Sequence, residues 1–418
     1  MQYAIVAIGS RGDVQPYIAL ALGLKERGHD ATIVAHENFR GYVEGYGIGF
    51  LPVKGDVEFM LQSAEGMKMV RDGSLRAFTR YLQKVNRITS ESIALDIMSE
   101  FKKADVLVAS LLAMPWVHAI AEKLGKKWAI VQLNLPATKT IAFPFVLLDF
   151  FHFPAYNRFT YVLFNWAYWR ANKKNINEFR LLLNLPSLEK SILKIIAEEK
   201  ILNLHCFSPA LLPRPGDWPA EIDITGFLFL PARVQSDIPA ELKRWLDNGE
   251  RPIYIGFGSI PVPDPHLFKS ILSSLLAKTS YRFVFCYGWT PPMDLPENKR
   301  LFQINAVSHE LLLPYCRTAI IHGGVGTTAA VLRAKIPVII TSIIADQPWW
   351  GRIIEEKRVG VHIPFKKLTV QKLMTALKTT EGKELRQRAF RLGEQINLED
   401  GLFNTINKLE EYFSGGGR

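Results

Sequence analysis

The stretch Ala319-Ile-Ile-His-Gly-Gly-Val-Gly-Thr-Thr328 constrains this chain more than any other. An apolar strand runs into His322, glycines follow at Gly323, Gly324 and Gly326, and a helix begins over about Gly326–Ala334. Strand, glycine turn and helix in direct succession form half of a parallel β-α-β unit, which commits this part of the chain to α/β architecture. The turn also carries chemistry. Glycines let backbone N–H groups approach an anion, and a helix start offers unpaired donors at the positive end of a dipole. His322 and the hydroxyls of Thr327 and Thr328 add side-chain donors. Together these predict a diphosphate cradle.

The same alternation runs through both halves. In the first, apolar strands are predicted over Tyr3–Ile8, Ala31–Ala35, Gly49–Pro52, Asp105–Ala109 and Trp128–Gln132, with a helix over Pro16–Arg27. In the second, strands are predicted over Pro252–Gly256, Arg282–Phe285, Leu301–Ile304, Ala319–His322, Pro337–Thr341 and Gly360–Ile363. Helices are predicted near Leu267–Ala277 and Pro348–Glu356 and through residues 370–413. A chain of 418 residues is longer than one core supports, so two doubly wound parallel sheets are expected. The proline-dense segment Ser208–Pro219 reads as the linker. The expected units are 1–215, 237–395, and a last helix over 396–418 that could fold back on the first unit and end in a flexible tail. Gly9-Ser10 and Gly258-Ser259 each follow an opening strand, as two similar domains would require.

Composition narrows the partners. A net charge of +11 favours anions, yet no Lys/Arg cluster resembles a nucleic-acid-reading element. Three widely spaced cysteines, Cys206, Cys286 and Cys316, argue against a disulfide framework or zinc site and fit a reducing cytoplasm. The first ten residues read as a strand and not as a signal peptide. His29 and His36 read as surface turn residues. Gly9 and Gly12, with Glu37 as a ribose acid, lack the spacing of a dinucleotide fingerprint.

Residues 141–169 are densely aromatic, but proline and charge interrupt each run before the roughly 18 residues a membrane span needs. Two readings stand. The rings build core and the rim of an acceptor pocket, with Phe143, Phe145 and Trp166 as candidates, or they also rest on a membrane surface. Five cations (Lys139, Arg158, Arg170, Lys173, Lys174) against Asp149 suit an anionic lipid face, the inner face of a cytoplasmic membrane.

Ligands of open parallel sheets collect at the carboxyl ends of strands. Three elements of the second half share that edge: Gly258-Ser259, the His322 loop, and Asp346-Gln347 after strand Pro337–Thr341. A phosphate cradle beside a carboxylate and an amide suits a nucleotide sugar. Gly9-Ser-Arg-Gly-Asp-Val-Gln-Pro-Tyr-Ile-Ala-Leu20, His322-Gly-Gly-Val-Gly-Thr-Thr328 and Ala345-Asp-Gln-Pro-Trp-Trp-Gly351 resemble the UDP-glycosyltransferases of the GT-B fold. The branch resembled is that of sterol glucosyltransferases and of macrolide, glycopeptide and rhamnolipid glycosyltransferases.

The resemblance implies two Rossmann-like domains facing each other across a cleft. It implies inverting, metal-independent transfer of a hexose, glucose by preference, from a UDP-sugar to a hydroxyl of a hydrophobic acceptor: a sterol, terpenoid, polyketide, flavonoid or lipid. By matching position, Asp13 is the base; Ser259, His322, Gly323, Gly324, Gly326 and Thr327 hold the diphosphate; Val307 holds the base of the nucleotide; Asp346 and Gln347 hold the sugar. No cofactor beyond the co-substrate is implied. Two positions depart from plant relatives: Ala330 replaces a ribose-binding glutamate and Ala306 a tryptophan beneath uracil. A nucleotide-sugar epimerase or hydrolase, and a non-catalytic glycosyltransferase-derived partner, are the alternatives. Neither needs both the aromatic belt and an intact set of Asp13, His322, Asp346 and Gln347.

Overall fold

The computed structural model describes all residues except 73–74, 134–136, 232–237, 292 and 416–418, and leaves out the side chains of 75–79 and 81–82. The last residues of the tail therefore lie outside the described residues. The chain forms two units: one of Met1–Val57, Thr79–Pro231 and Asp400–Arg418, the other of Glu58–Phe78 and 232–399.

The first unit is built on a seven-stranded parallel sheet: β1 (Gln2–Val6), β2 (Asp30–His36), β3 (Gly49–Val53), β4 (Val106–Ala109), β5 (Lys127–Gln132), β6 (Asn203–His205) and β7 (Ile222–Ile224). Their order is 3-2-1-4-5-6-7. Successive residues of β1 pack on opposite faces, both covered, so the strand reads as continuously apolar. Ala4 and Val6 join a core with the helix Met114–Leu124 and with Ile176 and Phe179 of the helix Pro154–Leu182. Tyr3 meets Phe413 edge-on at 5.9 Å on the other face. Phe413 belongs to the helix Gly401–Ser414, which closes the first unit against the helix Arg11–Glu26. Arg27 and His29 both reach the carboxylate of Glu410, at 2.9 Å each.

The second unit repeats the plan with β8 (Ile253–Gly256), β9 (Phe283–Cys286), β10 (Leu301–Ile304), β11 (Thr318–Ile321), β12 (Val338–Ile340) and β13 (Gly360–His362). Their order is 10-9-8-11-12-13, all parallel. Its core lies between Ile253, Ile255, Phe283, Phe285 and Ile320 of the sheet and the helices Pro265–Lys278 and Val370–Thr380. Residues 58–78, which the sequence reading left in the first half, belong here. The Gln62 amide donates to the Trp289 carbonyl at 3.2 Å.

Three sequence readings are corrected. Ser208–Pro219 is no interdomain linker: it joins β6 to β7 inside the first unit, with Leu211, Leu212 and Trp218 buried. Its prolines stop strand pairing and three of them, Pro209, Pro213 and Pro219, are exposed, while Arg214 ties the segment down through the Trp218 and Pro219 carbonyls. The first helix begins at Arg11 and not at Pro16, because Ser10 and Asp13 form a reciprocal capping box. His36 is fully buried at the end of β2, its Nε2 3.2 Å from Thr89 Oγ1, and His29 is half-covered by Tyr3 and Glu410.

Burial also keeps His36 neutral, its pKa lowered to about 4, and that of His205 to about 3. Both fall below the unfolded value of about 6.5, so the unfolded chain binds protons first as pH drops. Their stabilising effect is present above pH 6.5 or so and is lost toward pH 3–4, each at about 1.4 kcal/mol per pH unit in that window. The unfolding free energy should therefore fall as pH is lowered below about 6.5. In denaturant titrations, His205→Gln should show a shallower dependence on pH than the parent; an unchanged slope would refute the assignment.

Candidate functional site

The candidate site of the second unit lies at the carboxyl edge of its sheet, where β8 and β11 are neighbours but their connections leave in opposite directions. That divergence opens a crevice above the two strands. The loop after β8 carries Gly258 and Ser259; the loop after β11 carries His322, Gly323 and Gly324. They touch: a Cβ on Gly258 would lie 3.1 Å from His322 Cε1, and one on Gly324 would lie 2.5 Å from His322 Nε2. The imidazole is thus clasped between two glycine backbones. It is buried, and desolvation lowers its pKa to about 4, with His309 nearby adding to the effect. At neutral pH it is an uncharged ring and can donate one N–H.

Gly324 is the N-cap of the helix Val325–Arg333 and so has no side chain with which to cap it. Elsewhere in this unit, Asp264 and Thr369 accept from the first turn of their helices. The cradle helix thus starts with no side chain from its N-cap on its first backbone donors, the arrangement that anion-binding helix starts share. Gly326 is exposed and Thr327 half-exposed at this start, whereas Thr328 is buried and spends its hydroxyl on the Gly324 carbonyl at 3.0 Å. Thr328 is therefore a structural hydroxyl, contrary to the sequence reading.

On the far side of β11, the loop after β12 brings in Asp346 and Gln347. A Cβ on Gly323, whose φ is +92°, would lie 3.4 Å from Gln347 Cβ, so Gln347 abuts the cradle. Its carboxamide oxygen accepts from the N–H groups of Ile343 and Ile344, at 2.8 and 3.1 Å, which leaves the amide NH2 as its donor group. Asp346 is the N-cap of the helix Gln347–Glu356, but its carboxylate turns to Trp350, accepting from the indole N–H at 2.9 Å. Ala345 before it sits at φ +59°, a left-handed conformation that costs an alanine about 1 kcal/mol and is held by its surroundings.

The loops after β8, β9 and β10 are zipped along the same edge. Trp289 N–H donates to the Gly258 carbonyl at 3.2 Å and Gly288 N–H to that of Asn305 at 3.0 Å. Val307, half-buried, follows two residues later. Beside it His309 accepts or donates a 2.9 Å hydrogen bond with Tyr254 OH, a pair the sequence reading missed. Ser259, His322, Gly323, Gly324, Gly326, Thr327, Val307, Asp346 and Gln347 are thus all on loops or helix starts at one sheet edge. Trp350 was also missed, though its i, i+4 spacing from Asp346 is the available signal.

In the first unit Asp13 follows β1, the counterpart of β8. Its Oδ2 accepts from Ser10 N–H at 2.8 Å and Ser10 Oγ at 3.0 Å, which fixes the carboxylate plane. Gly9 crosses so closely that a Cβ there would lie 2.4 Å from the same oxygen. The carboxylate is half-buried. The three aromatic candidates are not joined by their contacts. Phe143 and Phe145 are core, Phe145 stacking on Phe164 at 3.8 Å, while Trp166 is 60% exposed on the helix Pro154–Leu182.

Residues 3–142 match the glycosyltransferase family 28 N-terminal domain, and residues 292–407 match the erythromycin biosynthesis protein CIII-like C-terminal domain. The sterol 3-beta-glucosyltransferase of Yarrowia lipolytica is 33% identical over 430 residues, which cover 98% of this chain and 28% of that protein. Sterol 3-beta-glucosyltransferase UGT80A2 of Arabidopsis thaliana is 31% identical over 419 residues, 97% of this chain and 64% of that protein. The chain thus spans less than two-thirds of these relatives. Among solved structures, the glycotransferase of kitacinnamycin superposes with a TM-score of 0.72 at 16% identity, covering 98% of both chains. The glycosyltransferase VinC in complex with DTDP gives 0.68 at 16% identity over all of both chains. At such identity these two structures establish a shared fold.

The cradle makes opposite demands at two glycines. Gly324→Ala should displace His322 and lower both stability and nucleotide affinity, because the new methyl meets the ring. Gly326→Ala meets nothing within 4 Å and should keep or raise the unfolding midpoint while weakening UDP binding measured by calorimetry. Equal UDP affinity in both variants and parent would remove the loop from nucleotide binding.

Proposed function

The chain belongs to the glycosyltransferases with the GT-B fold, and from that premise we propose that it moves a hexose, glucose by preference, from a UDP-sugar to a hydroxyl of a hydrophobic acceptor, with inversion and without a metal. The observation that carries the reading is the clasped, neutral His322 beside the uncapped start of the helix Val325–Arg333. Breaking the anomeric C–O bond shifts negative charge onto the diphosphate. Donors already in place there stabilise the transition state more than the ground state. Asp346 and the amide of Gln347 supply an acceptor and a donor for vicinal sugar hydroxyls. Val307 lies on the loop assigned to the nucleotide base.

An alcohol is a poor nucleophile, and Asp13 takes its proton as the new bond forms. The capping box orients that carboxylate on the helix Arg11–Glu26. The sterol glucosyltransferase relatives support a sterol-like acceptor. Peripheral contact with a membrane face is part of the same reading, since such an acceptor dissolves in lipid.

Asp13→Asn should reduce transfer by roughly a thousandfold or more while UDP affinity stays within about twofold. His322→Ala should lose most UDP binding. Both are read by calorimetry with UDP and by mass-spectrometric product detection from UDP-glucose and a sterol panel. Full turnover by Asp13→Asn, or undiminished UDP binding by His322→Ala, would overturn the respective role.

A further inference from the structure

An apolar surface on the first unit has no partner in the fold just described. It comprises the loop before the helix Pro154–Leu182 and the opening turns of that helix. Phe150 is 71% exposed, Phe151 60%, Phe159 57%, Val162 53% and Trp166 60%. Phe159, Val162 and Trp166 recur at i, i+3 and i+7, so they form one stripe, while Asn157, Thr160 and Tyr161 are buried on the opposite face. The loop rings are held in place by each other: Phe151 meets Tyr156 edge-on at 5.2 Å and Phe153 lies 5.7 Å from it. Four aromatic side chains more than half exposed amount to roughly 500 Å² of apolar area, large for a surface that stays in water.

Charge decides what covers it. Residues 139–174 carry Lys139, Arg158, Arg170, Lys173 and Lys174 against Asp149 alone. Asp149 is engaged by His152 at 2.8 Å, and Lys173 and Lys174 each lie 3.8 Å from an exposed glutamate, Glu189 and Glu178, at solvent-screened separations that headgroups can replace. Arg170 lies 5.8 Å from the Trp166 ring and Lys173 5.7 Å from that of Trp169, so cations flank the aromatic stripe on the same helix. No helix among the described residues is long and apolar enough to cross a membrane. Exposed rings with lysine and arginine beside them match the layered chemistry of a bilayer surface, where acyl chains lie beneath anionic headgroups. Interfaces between proteins, by contrast, are depleted in lysine.

We propose that this face, Phe150 to Trp166 with Arg158, Arg170, Lys173 and Lys174, docks the protein onto an anionic lipid bilayer. The rings enter the acyl boundary and the cations contact the headgroups. The inference deepens the peripheral-contact part of the proposed function, and its test uses no sugar nucleotide, so its failure and the failure of the transfer reading are separately visible.

The experiment is co-sedimentation with vesicles of phosphatidylcholine containing about 30% phosphatidylserine. The protein should pellet, and binding should fall roughly tenfold when phosphatidylserine is omitted or salt is raised to about 1 M. The combined variant Phe150→Ser, Phe159→Ser, Val162→Ser should also lose roughly tenfold while keeping its unfolding midpoint, since all three side chains are exposed. Failure of the parent to pellet, or undiminished pelleting by the variant, overturns the proposal. So does a dimer of the parent in sedimentation equilibrium that the variant abolishes without any vesicle binding. Should the triple variant not fold, Phe150→Cys labelled with a polarity-sensitive dye replaces it, because the three native cysteines are buried. A blue shift on adding vesicles supports docking, and an unchanged spectrum refutes it.

Discussion

Parallel strands can be joined only by crossovers, and right-handed crossovers run to one side of the starting strand or to the other. In each sheet here the order reverses once, between β1 and β4 and between β8 and β11. Loops at a reversal part from each other and leave backbone and side chains exposed above the strand ends. Asp13 comes directly after β1, and the cradle directly after β11 with Ser259 after β8. One topological constraint, met once in each unit, places Asp13, Ser259 and the His322 loop, while Asp346 and Gln347 join the same edge from the loop after β12 and Val307 from that after β10.

Electrostatics then sets the character of the cradle. His322 is buried and neutral, so the site offers donors without a permanent cation. In the proposed transfer, a diphosphate that gains charge as it leaves would meet oriented dipoles in a region with little water to reorganise. Asp264 and Thr369 close their helix starts with side chains, whereas Gly324, like the N-caps of several other helices of this unit, does not. What sets the start at Gly324 apart is the buried His322 clasped beside it.

The periodic signals were the legible ones. Apolar runs located eleven of the thirteen strands of the described residues; three-residue β6, polar at Asn203 and His205, and short half-buried β7 left no such trace. The glycine turn identified the cradle because its spacing has a chemical reason. What escaped depended on contacts distant in sequence or on polarity set against burial. His36 is polar by type yet ends a central strand, so neighbouring strands bury it. Ser208–Pro219 is proline-rich yet packs Trp218 against His205 at 4.7 Å, which no local rule conveys. Asp13 could have been read as a capping partner from Ser10, and the helix start would have moved with it. The Trp350 hold on Asp346 was likewise within reach of helical spacing.

The first unit is discontinuous in sequence: its last piece is the helix Gly401–Ser414, separated from the rest by nearly all of the second unit. That helix packs so tightly on the helix Arg11–Glu26 that a methyl group at Gly23 would lie 2.6 Å from Ile406. On the ribosome, the apolar flank around Tyr3 and Gly23 stays uncovered while residues 232–399 emerge, and the second unit can fold before the first is sealed. Sealing of that flank is thereby deferred until the helix Gly401–Ser414 has emerged, so the order of synthesis and the order of packing differ in this unit.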